Sequence, residues 1–457
     1  MTAFDLIVIG GGPGGYNAAA MAAEGGLKTA LFEKNKVGGV CLNEGCIPTK
    51  SLLYSANLLD AMKDSKKYGL TLEGEVSADY GKIVARKNKI VRKLVLGVTQ
   101  KLKTAGVEIV NAEARISERK EDGTFVVKAG EEVYEAKEIL LCTGSETVIP
   151  PIPGLAESGY WTSREALDAK ELPESVVVIG GGVIGMEFVS VWTSLGVPVT
   201  VVEMMPKILG RMDSELSLEL MKDYEKRGVK FYLGTKVVGA SPEGITVETP
   251  EGKKMDIKAA KILLSAGRRV VSRDLGLEEL GVEMNRGAIL TNEYMETNIP
   301  HLYAAGDVTA RSMLAHSAIR MGEVAVNRIL GHTDDKMRYD AIPGVIYTHP
   351  EFASVGATED ELKASGTPYR LRKIQMSYAG RFVVENEGGN GLFKLITDTE
   401  DRIIGAQMLG NPASEIIFYI GQAITQNLTI ADLRRQVYPH PTVGEIIHEA
   451  AYEKPLE

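Results

Sequence analysis

Cysteine is scarce in this chain: only three of its 457 residues are cysteines. So few cysteines exclude the disulfide framework of a small secreted protein. Long apolar runs are also missing, and no stretch approaches the length needed to span a bilayer. The N-terminus has no basic segment followed by an apolar core and a cleavage site. We therefore expect a cytoplasmic protein with no membrane partner.

Positive charge is in deficit as well. The chain has 52 lysines and arginines against 61 aspartates and glutamates, which gives a net charge of −9. This balance gives no reason to expect nucleic-acid binding. Hydrophobic residues make up 44% of the chain and charged residues 25%, as in a globular protein with substantial cores. A chain of 457 residues usually folds as about three or four domains.

Two of the three cysteines, Cys41 and Cys46, stand close together in the sequence. On a continuous helix their Cα atoms would be about 8–9 Å apart, more than the usual disulfide span of about 4.4–6.8 Å. A disulfide here therefore requires a broken helix. We expect a helix from about Pro48 to Asn57, with Cys46 near its N-terminus, where the helix dipole favours a thiolate.

The pattern favours a redox-active thiol pair over two alternatives, half of a metal site and two unrelated buried thiols. A metal site needs further ligands, and no second cysteine pair supplies them, so we expect no metal. The third cysteine, Cys142, stands alone in an apolar strand and is expected to be a core residue.

A glycine-rich pattern occurs twice in the chain. In the first copy a short apolar strand leads into Gly10–Gly15, a helix, and a second strand that ends in Glu33. In the second copy the same order runs through Gly180–Gly185 to Glu203, and the acid follows the third glycine by 18 residues in both copies. Such loops bring a helix N-terminus to a pyrophosphate, and the acid binds a ribose hydroxyl. Two copies predict two dinucleotide sites, whereas ordinary glycine turns of α/β units are the alternative.

The acid at Glu203 also indicates which nicotinamide cofactor suits the second site. A carboxylate repels a ribose 2′-phosphate, and the following residues through Lys207 include no arginine that would bind one. The second site is therefore expected to prefer NAD(H) over NADP(H).

Beyond these loops, strands and helices alternate up to about residue 340, and the composition then changes. Short strands and two helical stretches, Thr358–Ser365 and Ser414–Gln426, predict an α+β C-terminal domain. The predicted fold class is α/β, with two Rossmann-like dinucleotide-binding domains and an α+β C-terminal domain. The stretch Pro150–Gly154 is typical of a linker and suggests a domain boundary near residue 148.

The segment Gly38–Lys50, which contains both cysteines, resembles the signature of the flavin-dependent pyridine nucleotide–disulfide oxidoreductases. Further matches are the two glycine loops, Ala304–Val308, Met313–His316 and His440–Glu445, so the resemblance covers essentially the whole chain. Within that family, the chain is most similar to members that oxidise protein-bound dihydrolipoamide with NAD⁺.

The resemblance implies FAD at the first glycine loop and NAD at the second. It implies a homodimer, and as partner a lipoylated carrier protein of a 2-oxo acid dehydrogenase complex or of a glycine cleavage system. The domains expected from it are an FAD-binding domain in its first part (1–147), an NAD-binding domain (148–267), a central domain that completes the FAD site (268–338) and a C-terminal interface domain for dimerisation (339–457).

The resemblance also implies which residues bind the two cofactors. Those expected around FAD are Gly10, Gly12, Pro13, Gly15, Glu33, Lys34, Gly39, Val40, Lys50, Ala114, Thr143, Gly144, Asp307, Met313, Leu314 and Ala315. Those expected around NAD are Gly180, Gly182, Ile184, Gly185, Glu203, Val237 and Gly267, and Glu187 is a further cofactor-site residue. Lys50 is expected near the flavin N5 and paired with Glu187, because a buried lysine without an acid partner is costly.

The catalytic residues implied by the resemblance are Cys41, Cys46, His440 and Glu445. The two cysteines form a disulfide in the resting enzyme, Cys41 reacts with the lipoyl thiol, and Cys46 faces the flavin. His440 acts as the base and comes from the other subunit. Glu445 follows five positions later, and a carboxylate on one imidazole nitrogen fixes the tautomer and raises basicity.

The chain departs from the family pattern at two positions. Tyr438 stands where the family often has a histidine, and Val40 stands where a threonine often precedes the first cysteine. Two other functions remain open: an NAD(P)H-dependent reductase of a different small disulfide, and a non-catalytic FAD-binding subunit.

Overall fold

The computed structural model of the chain describes residues 2–332 and 334–456. It divides into two compact units, each assembled from three segments of the sequence. The first unit comprises Met1–Ser51, Ala85–Val148 and Gly267–Tyr339. The second comprises Leu52–Val84, Ile149–Ala266 and Asp340–Glu457.

The helices and strands follow one another along the chain in four stretches. Up to residue 148 they are β1 (Thr2–Ile9), α1 (Pro13–Glu24), β2 (Thr29–Phe32), α2 (Gly39–Glu44), α3 (Cys46–Lys63), α4 (Tyr80–Thr104), β3 (Glu108–Val110), β4 (Arg115–Arg119), β5 (Phe125–Ala129), β6 (Glu132–Leu141) and β7 (Ser145–Thr147). From 149 to 266 they are α5 (Ser163–Asp168), β8 (Val176–Ile179), α6 (Val183–Ser194), β9 (Val199–Val202), α7 (Ser214–Lys226), β10 (Lys230–Tyr232), β11 (Lys236–Ser241), β12 (Gly244–Glu248), β13 (Lys254–Lys258) and β14 (Lys261–Leu264).

The second half of the chain continues the series. From 267 to 339 the elements are β15 (Arg268–Val270), β16 (Met284–Asn285), β17 (Ala288–Ile289), β18 (Leu302–Ala304) and α8 (Ala315–Ile329). Beyond 340 they are β19 (Gly344–Ile346), β20 (Phe352–Gly356), α9 (Glu359–Ser365), β21 (Arg370–Gln375), α10 (Gly380–Glu385), β22 (Leu392–Thr397), β23 (Ile403–Leu409), α11 (Ala413–Thr425), α12 (Ile430–Arg435) and α13 (Ile446–Tyr452).

A seven-stranded sheet organises the first unit. Its order is β3–β2–β1–β6–β5–β4, and β18 also pairs with β6. The central strand β1 runs parallel to both β2 and β6. Its residues from Leu6 to Ile9 are buried, as expected of a parallel strand that is covered on both faces.

Helices α1 and α8 of the first unit meet at two glycines. A Cβ on Gly14 would lie 2.8 Å from the backbone oxygen of Ala318 in α8, and a Cβ on Gly322 would lie 2.8 Å from the backbone oxygen of Gly14. Glycine therefore allows these helices to pack closely beside the first glycine loop.

The described part of the second unit contains three sheets. A parallel sheet of order β10–β9–β8–β14 carries the second glycine loop, and the antiparallel sheet β11–β12–β13 lies in the chain between β10 and β14. The third sheet, β19–β20–β23–β22–β21, is antiparallel and has its own core, in which Phe393 and Ile420 are fully buried. Helix α6 is buried along most of its length, including Phe188 and Trp192.

These elements confirm the predicted α/β fold class with its α+β C-terminal domain. The strand–loop–helix–strand order recurs as β1–α1–β2 and β8–α6–β9, and the predicted C-terminal helices are α9 and α11. The bounds of the four predicted domains stay predictions. Within residues 2–332 and 334–456, no helix is both long and apolar enough to cross a bilayer.

Candidate active site

The first and third glycines of the two loops have matching geometry. Gly10 and Gly180 have φ angles of +110° and +104°. A Cβ on them would lie 2.2 and 2.5 Å from a backbone carbonyl oxygen. A Cβ on Gly15 or Gly185 would lie 1.8 or 2.2 Å from the carbonyl oxygen of the first glycine of its own loop. At these positions the fold accepts only glycine.

The second glycine of each loop has a different environment. A Cβ on Gly12 or on Gly182 would meet nothing within 4 Å. Each is the N-cap of the following helix, α1 or α6, and no side chain caps either helix. An uncapped helix N-terminus beside open space is a cradle that a pyrophosphate fits, since the N–H groups and the helix dipole both attract phosphate.

The acid of each copy is hydrogen-bonded to its own glycine loop. Oε2 of Glu33 accepts the N–H of Gly11 at 2.8 Å, and Oε2 of Glu203 accepts the N–H of Gly181 at 2.7 Å. Oε1 of each acid accepts the N–H of the residue two positions further on, at 2.7 and 2.8 Å. Both carboxylates are thereby fixed at the end of the second strand, beside the glycine loop, where a ribose is expected.

The two cysteines lie on either side of a helix break. Helix α2 ends at Glu44, Gly45 has φ −143° and ψ −109°, and α3 begins at Cys46. The broken helix and the N-terminal position of Cys46 are confirmed, although α3 starts two residues earlier than predicted and extends to Lys63. Pro48 is accepted in the first turn of α3, because a backbone N–H at that position would have no acceptor within the helix.

No disulfide joins Cys41 and Cys46 in the structure, and both side chains are thiols. They are hydrogen-bonded to each other, and this bond, together with burial, raises the pKa of the Cys41 thiol, against an opposing effect of Lys50. The disulfide of the resting form stays a prediction. Cys142 is buried, as predicted, and burial raises its pKa to about 12.

Gly39 brings the cysteine-bearing segment against the first glycine loop. It has φ +57°, and a Cβ on it would lie 2.6 Å from the Cα of Gly12. Val40 beside it is exposed. Lys50 lies on α3 one turn after Cys46.

Glu187, the predicted partner of Lys50, is buried on α6. Its Oε1 accepts the N–H of Tyr347 at 3.2 Å, within the second compact unit. Lys50 belongs to the first unit, and the Lys50–Glu187 pair stays a prediction.

Asp307 lies in a hydrogen-bonded chain that the sequence does not predict. It begins a 3₁₀ turn, and its Oδ2 accepts the hydroxyl of Ser145 at 2.5 Å. Arg268 donates from Nε to that hydroxyl at 2.8 Å and from Nη2 to the carbonyl oxygen of Ser145 at 2.6 Å. Thr143 and Gly144 lead directly into Ser145. The sequence gives one sign of this chain. Two buried strands, β6 and β14, each lead into a glycine turn, and Ser145 follows the first turn while Arg268 follows the second.

The other residues expected near FAD are spread over the first unit. Ala315 is the first residue of α8, whose N-cap Leu314 offers no side-chain cap, and Met313 before it is exposed. Pro13 is the first residue of α1.

Further residues of the predicted cofactor sites have the following positions. Lys34 forms an exposed ion pair with Glu113, and Ala114 is buried in the core. On the NAD side, Ile184 lies in the first turn of α6, Val237 lies in β11, and Gly267 has φ +113°. Their roles stay predictions.

His440 and Glu445, the predicted base and its predicted carboxylate partner, are adjacent. Nδ1 of His440 is 2.9 Å from Oε1 of Glu445, and Oε2 of Glu445 accepts the N–H of Thr442 at 2.8 Å. These two contacts lower the pKa of Glu445, with the Thr442 N–H making the larger contribution. The side chain of His440 is 79% exposed, so the imidazole is open to a substrate or to another subunit.

No group of three or more histidine, cysteine, aspartate or glutamate side chains in residues 2–332 and 334–456 has the arrangement of a metal site.

Comparison with known proteins places these features in a family. Residues 4–322 match the family model of pyridine nucleotide-disulphide oxidoreductase, and residues 342–451 match the model of its dimerisation domain. The dihydrolipoyl dehydrogenase of Rhizobium etli is 38% identical over 98% of this chain and 98% of its own length.

Two solved structures are similar along nearly the whole chain. The crystal structure of LpdA from Mycobacterium tuberculosis has a TM-score of 0.89 and 25% identity, and covers 99% of both chains. The structure of the HOCl-induced flavoprotein disulfide reductase RclA from Escherichia coli has a TM-score of 0.84 and 26% identity, and covers 97% of this chain and 98% of its own.

Proposed function

Because the chain belongs to the pyridine nucleotide-disulphide oxidoreductase family, we propose that it oxidises protein-bound dihydrolipoamide to lipoamide and reduces NAD⁺ to NADH. The chain is an enzyme of this family, and FAD and NAD are the cofactors of the family. The dimerisation domain makes the chain a homodimer. One observation carries the proposal: the helix break places two adjacent thiols beside the first glycine loop, and the same chain provides a His440–Glu445 pair.

In this proposal, Cys41 and Cys46 begin as a disulfide. His440, oriented by Glu445, takes the proton of one dihydrolipoyl thiol. The resulting thiolate attacks the Cys41 sulfur, a lipoyl–Cys41 bond forms, and Cys46 leaves as a thiolate. The second lipoyl thiol then attacks the lipoyl sulfur of the mixed disulfide, which releases lipoamide and the Cys41 thiol. Two electrons have passed from substrate to the cysteine pair.

The remaining residues bind and orient. FAD, when bound at the first loop, supplies the two-electron relay from the dithiol to NAD⁺. Gly12 and the N-terminus of α1 would hold its pyrophosphate, and Glu33 would hold its ribose. Gly182 and Glu203 would do the same for NAD. Cys46, at the first position of α3, is stabilised as a thiolate by the helix dipole.

A homodimer fits the exposure of His440. The imidazole is open in a single chain, and the proposed base acts on the dithiol of the other subunit. The proposed partner is a lipoylated carrier protein of a 2-oxo acid dehydrogenase complex or of a glycine cleavage system, and the cytoplasmic location is part of the same proposal. Rates measured with several lipoylated carriers would identify which one it serves.

The test is NADH formation from dihydrolipoamide and NAD⁺ by the purified FAD-loaded enzyme. We expect turnover in the parent enzyme and its loss, by roughly a thousandfold or more, in Cys46→Ser, because the disulfide is removed. Cys142→Ala is the matched control, since it removes a buried thiol outside the redox pair. Full activity of Cys46→Ser would refute the proposal.

A second candidate, reduction of another small disulfide, is favoured by the similarity to the reductase RclA. The same preparation distinguishes the two functions. NADH oxidation driven by a non-lipoyl disulfide, with no turnover of dihydrolipoamide, would support the second. Absence of a long-wavelength thiolate–flavin absorption band after two-electron reduction would instead indicate an FAD-binding subunit without redox catalysis.

A further inference from the structure

The turn that carries Asp307 is hydrogen-bonded to a methionine of helix α8. The backbone N–H of Gly306 donates to Sδ of Met321 at 3.2 Å, and both residues are buried. A thioether sulfur is a weak acceptor, but a buried N–H that loses its acceptor is costly. Met321 therefore satisfies a backbone group that an apolar side chain of equal size would leave unpaired.

Thr309 holds the carbonyl oxygen of the same glycine. The N–H and Oγ1 of Thr309 both donate to the oxygen of Gly306, at 3.0 and 2.9 Å. The Thr309 hydroxyl also lies 4.0 Å from Sδ of Met321. Gly306 has φ +82°, and a Cβ on it would lie 3.0 Å from the Cβ of Ala318 in α8. The N–H and the carbonyl group of Gly306 are thus both fixed, one residue before Asp307.

Helix α8 joins this turn to the first glycine loop. The carbonyl oxygen of Ala318 is the atom that a Cβ on Gly14 would approach to 2.8 Å. On the side of the carboxylate, the Ser145 hydroxyl donates to Oδ2 of Asp307. One helix therefore contacts both the helix of the pyrophosphate cradle and the turn at Asp307, so a loosened turn should disturb the binding of FAD.

We propose that Met321 and Thr309 are positioning residues of the FAD site, which hold the turn at Asp307 ready for the cofactor. This inference rests on the predicted place of Asp307 at the FAD, within the proposed function, and not on the identity of the substrate. A cofactor loses less free energy on binding to a turn that is already fixed in its bound conformation. Exchange of Met321 for leucine keeps nearly the same core volume and removes only the acceptor.

The test is the rate of FAD release from the diluted full-length holoenzyme, followed by the rise in flavin fluorescence. Met321→Leu should release FAD about tenfold faster than the parent, because the buried N–H of Gly306 loses its acceptor. Met321→Gln returns an acceptor, its side-chain carbonyl oxygen, and should restore most of the parent rate. Thr309→Val removes one of two donors to the Gly306 oxygen, so we expect a smaller acceleration of about threefold.

Met295→Leu is the matched control. Met295 is fully buried in the same compact unit, where its backbone carbonyl oxygen accepts the N–H of Ala304. Leucine keeps this backbone contact, so FAD release should match the parent even where Tm falls. A purely structural role of Met321 would lower Tm and leave FAD release unchanged, and that result overturns the inference. Equal acceleration in Met295→Leu, or Met321→Gln as fast as Met321→Leu, also overturns it.

If Met321→Leu yields no folded holoenzyme, Thr309→Val decides, and an unchanged release rate in that variant overturns the inference. The two proposals fail in different ways. Unchanged FAD release removes the roles of Met321 and Thr309 and leaves turnover of dihydrolipoamide untouched. An FAD-loaded parent enzyme that does not oxidise dihydrolipoamide removes the proposed substrate, while FAD release still reports on the turn.

Discussion

Among single residues, Glu445 has two structural tasks at once. One oxygen meets Nδ1 of His440 and the other accepts the N–H of Thr442 at the start of the last helical segment. Glu445→Gln keeps an acceptor for Thr442 and removes the charge opposite the imidazole. We expect kcat for dihydrolipoamide oxidation to fall by about tenfold or more, because His440, the proposed base, loses the anion that orients it and stabilises its protonated form. Steady-state kinetics measures this change.

The same helical segment offers a control for that prediction. His448 and Glu449 form a looser pair on α13, at 3.8 Å, and sequence and structure give this pair no catalytic role. Glu449→Gln should therefore keep the parent kcat. An equal loss in both variants would mean that the effect comes from the surface charge of this region and not from the His440 contact.

Local patterns explain which site residues the sequence predicts. Cys41 and Cys46 stand five positions apart, as do His440 and Glu445, so each pair is visible in a short segment. The Arg268–Ser145–Asp307 chain joins residues that are 123 and 162 positions apart. Such contacts depend on how the strands are ordered in the sheet, which a single sequence does not specify.

Among the elements, α2 depends on a close contact at Gly39. Gly39→Ala would place a methyl group 2.6 Å from the Cα of Gly12 and require a residue with a side chain at φ +57°. We expect reduced FAD content after purification and a lower Tm, because the segment moves away from the first glycine loop. Flavin absorbance per chain and thermal unfolding measure the two effects.

A substitution at Gly26 separates the two effects of Gly39→Ala, which are the contact with Gly12 and the strained backbone. Gly26 has φ +90°, and a Cβ on it would meet nothing within 4 Å. Gly26→Ala therefore carries the backbone cost of about 1 kcal/mol without the contact, and FAD content should stay at the parent level. Equal loss of FAD in both variants would contradict the proposed role of the Gly39–Gly12 contact.

A buried lysine joins three elements of the second unit. Lys394 on β22 is 1% exposed and contacts Asp213 at 3.0 Å, Glu215 at 2.8 Å and Glu359 at 2.9 Å. Lys394→Met leaves the fully buried Asp213 without a cation, so we expect the free energy of unfolding to fall by about 3–5 kcal/mol. Lys222→Met removes an exposed lysine from its pair with Glu219 and should cost no more than about 1 kcal/mol. Urea unfolding compares the two, and equal stabilities would contradict the prediction.

The ion pairs of Lys394 also make the stability of the second unit depend on pH in the acid range. Burial of Glu359 opposes its ionisation, but hydrogen bonds from Lys363 and Lys394 outweigh burial and lower its pKa from 4.5 to about 2. A lowered carboxyl pKa stabilises the fold above pH 4.5, and the contribution is lost as pH falls towards 2. The unfolding free energy should therefore decline across this range, and Lys394→Met should flatten the decline.

The sequence predicts most elements near the glycine loops and misses others. The strands β1 and β8 and the helices α9 and α11 follow from apolar runs and from residues such as Thr358, which caps α9. Helix α3 is longer than predicted at both ends, since it begins at Cys46 and extends past Asn57 to Lys63. The 25-residue helix α4 is not among the predicted elements, although its apolar residues recur at helical spacing from Ile83 to Leu102.

For the whole molecule, the dimerisation domain presents apolar side chains to solvent in the single chain. Phe418 on α11 is 58% exposed, and Val437 is 91% exposed. We expect Phe418→Glu to weaken self-association by about tenfold or more, because a charge would enter an apolar interface. Dihydrolipoamide turnover should fall with the dimer fraction, as the proposed base acts on the other subunit. Light scattering and turnover across protein concentrations measure both.

A substitution at Leu218 is the control for Phe418→Glu, because it places the same charge on another part of the surface. Leu218 lies on α7, is 46% exposed, and stands outside the dimerisation match. Leu218→Glu should leave both mass and turnover unchanged. A monomeric Phe418→Glu protein that keeps full turnover would show that the base acts within its own chain.

The carboxylates of Glu33 and Glu203 each accept an N–H group from their own glycine loop. Each loop is therefore preorganised, and an arriving dinucleotide loses little free energy in ordering it. One strand–loop–helix–strand unit, present twice in the chain, therefore offers the same phosphate cradle at two places.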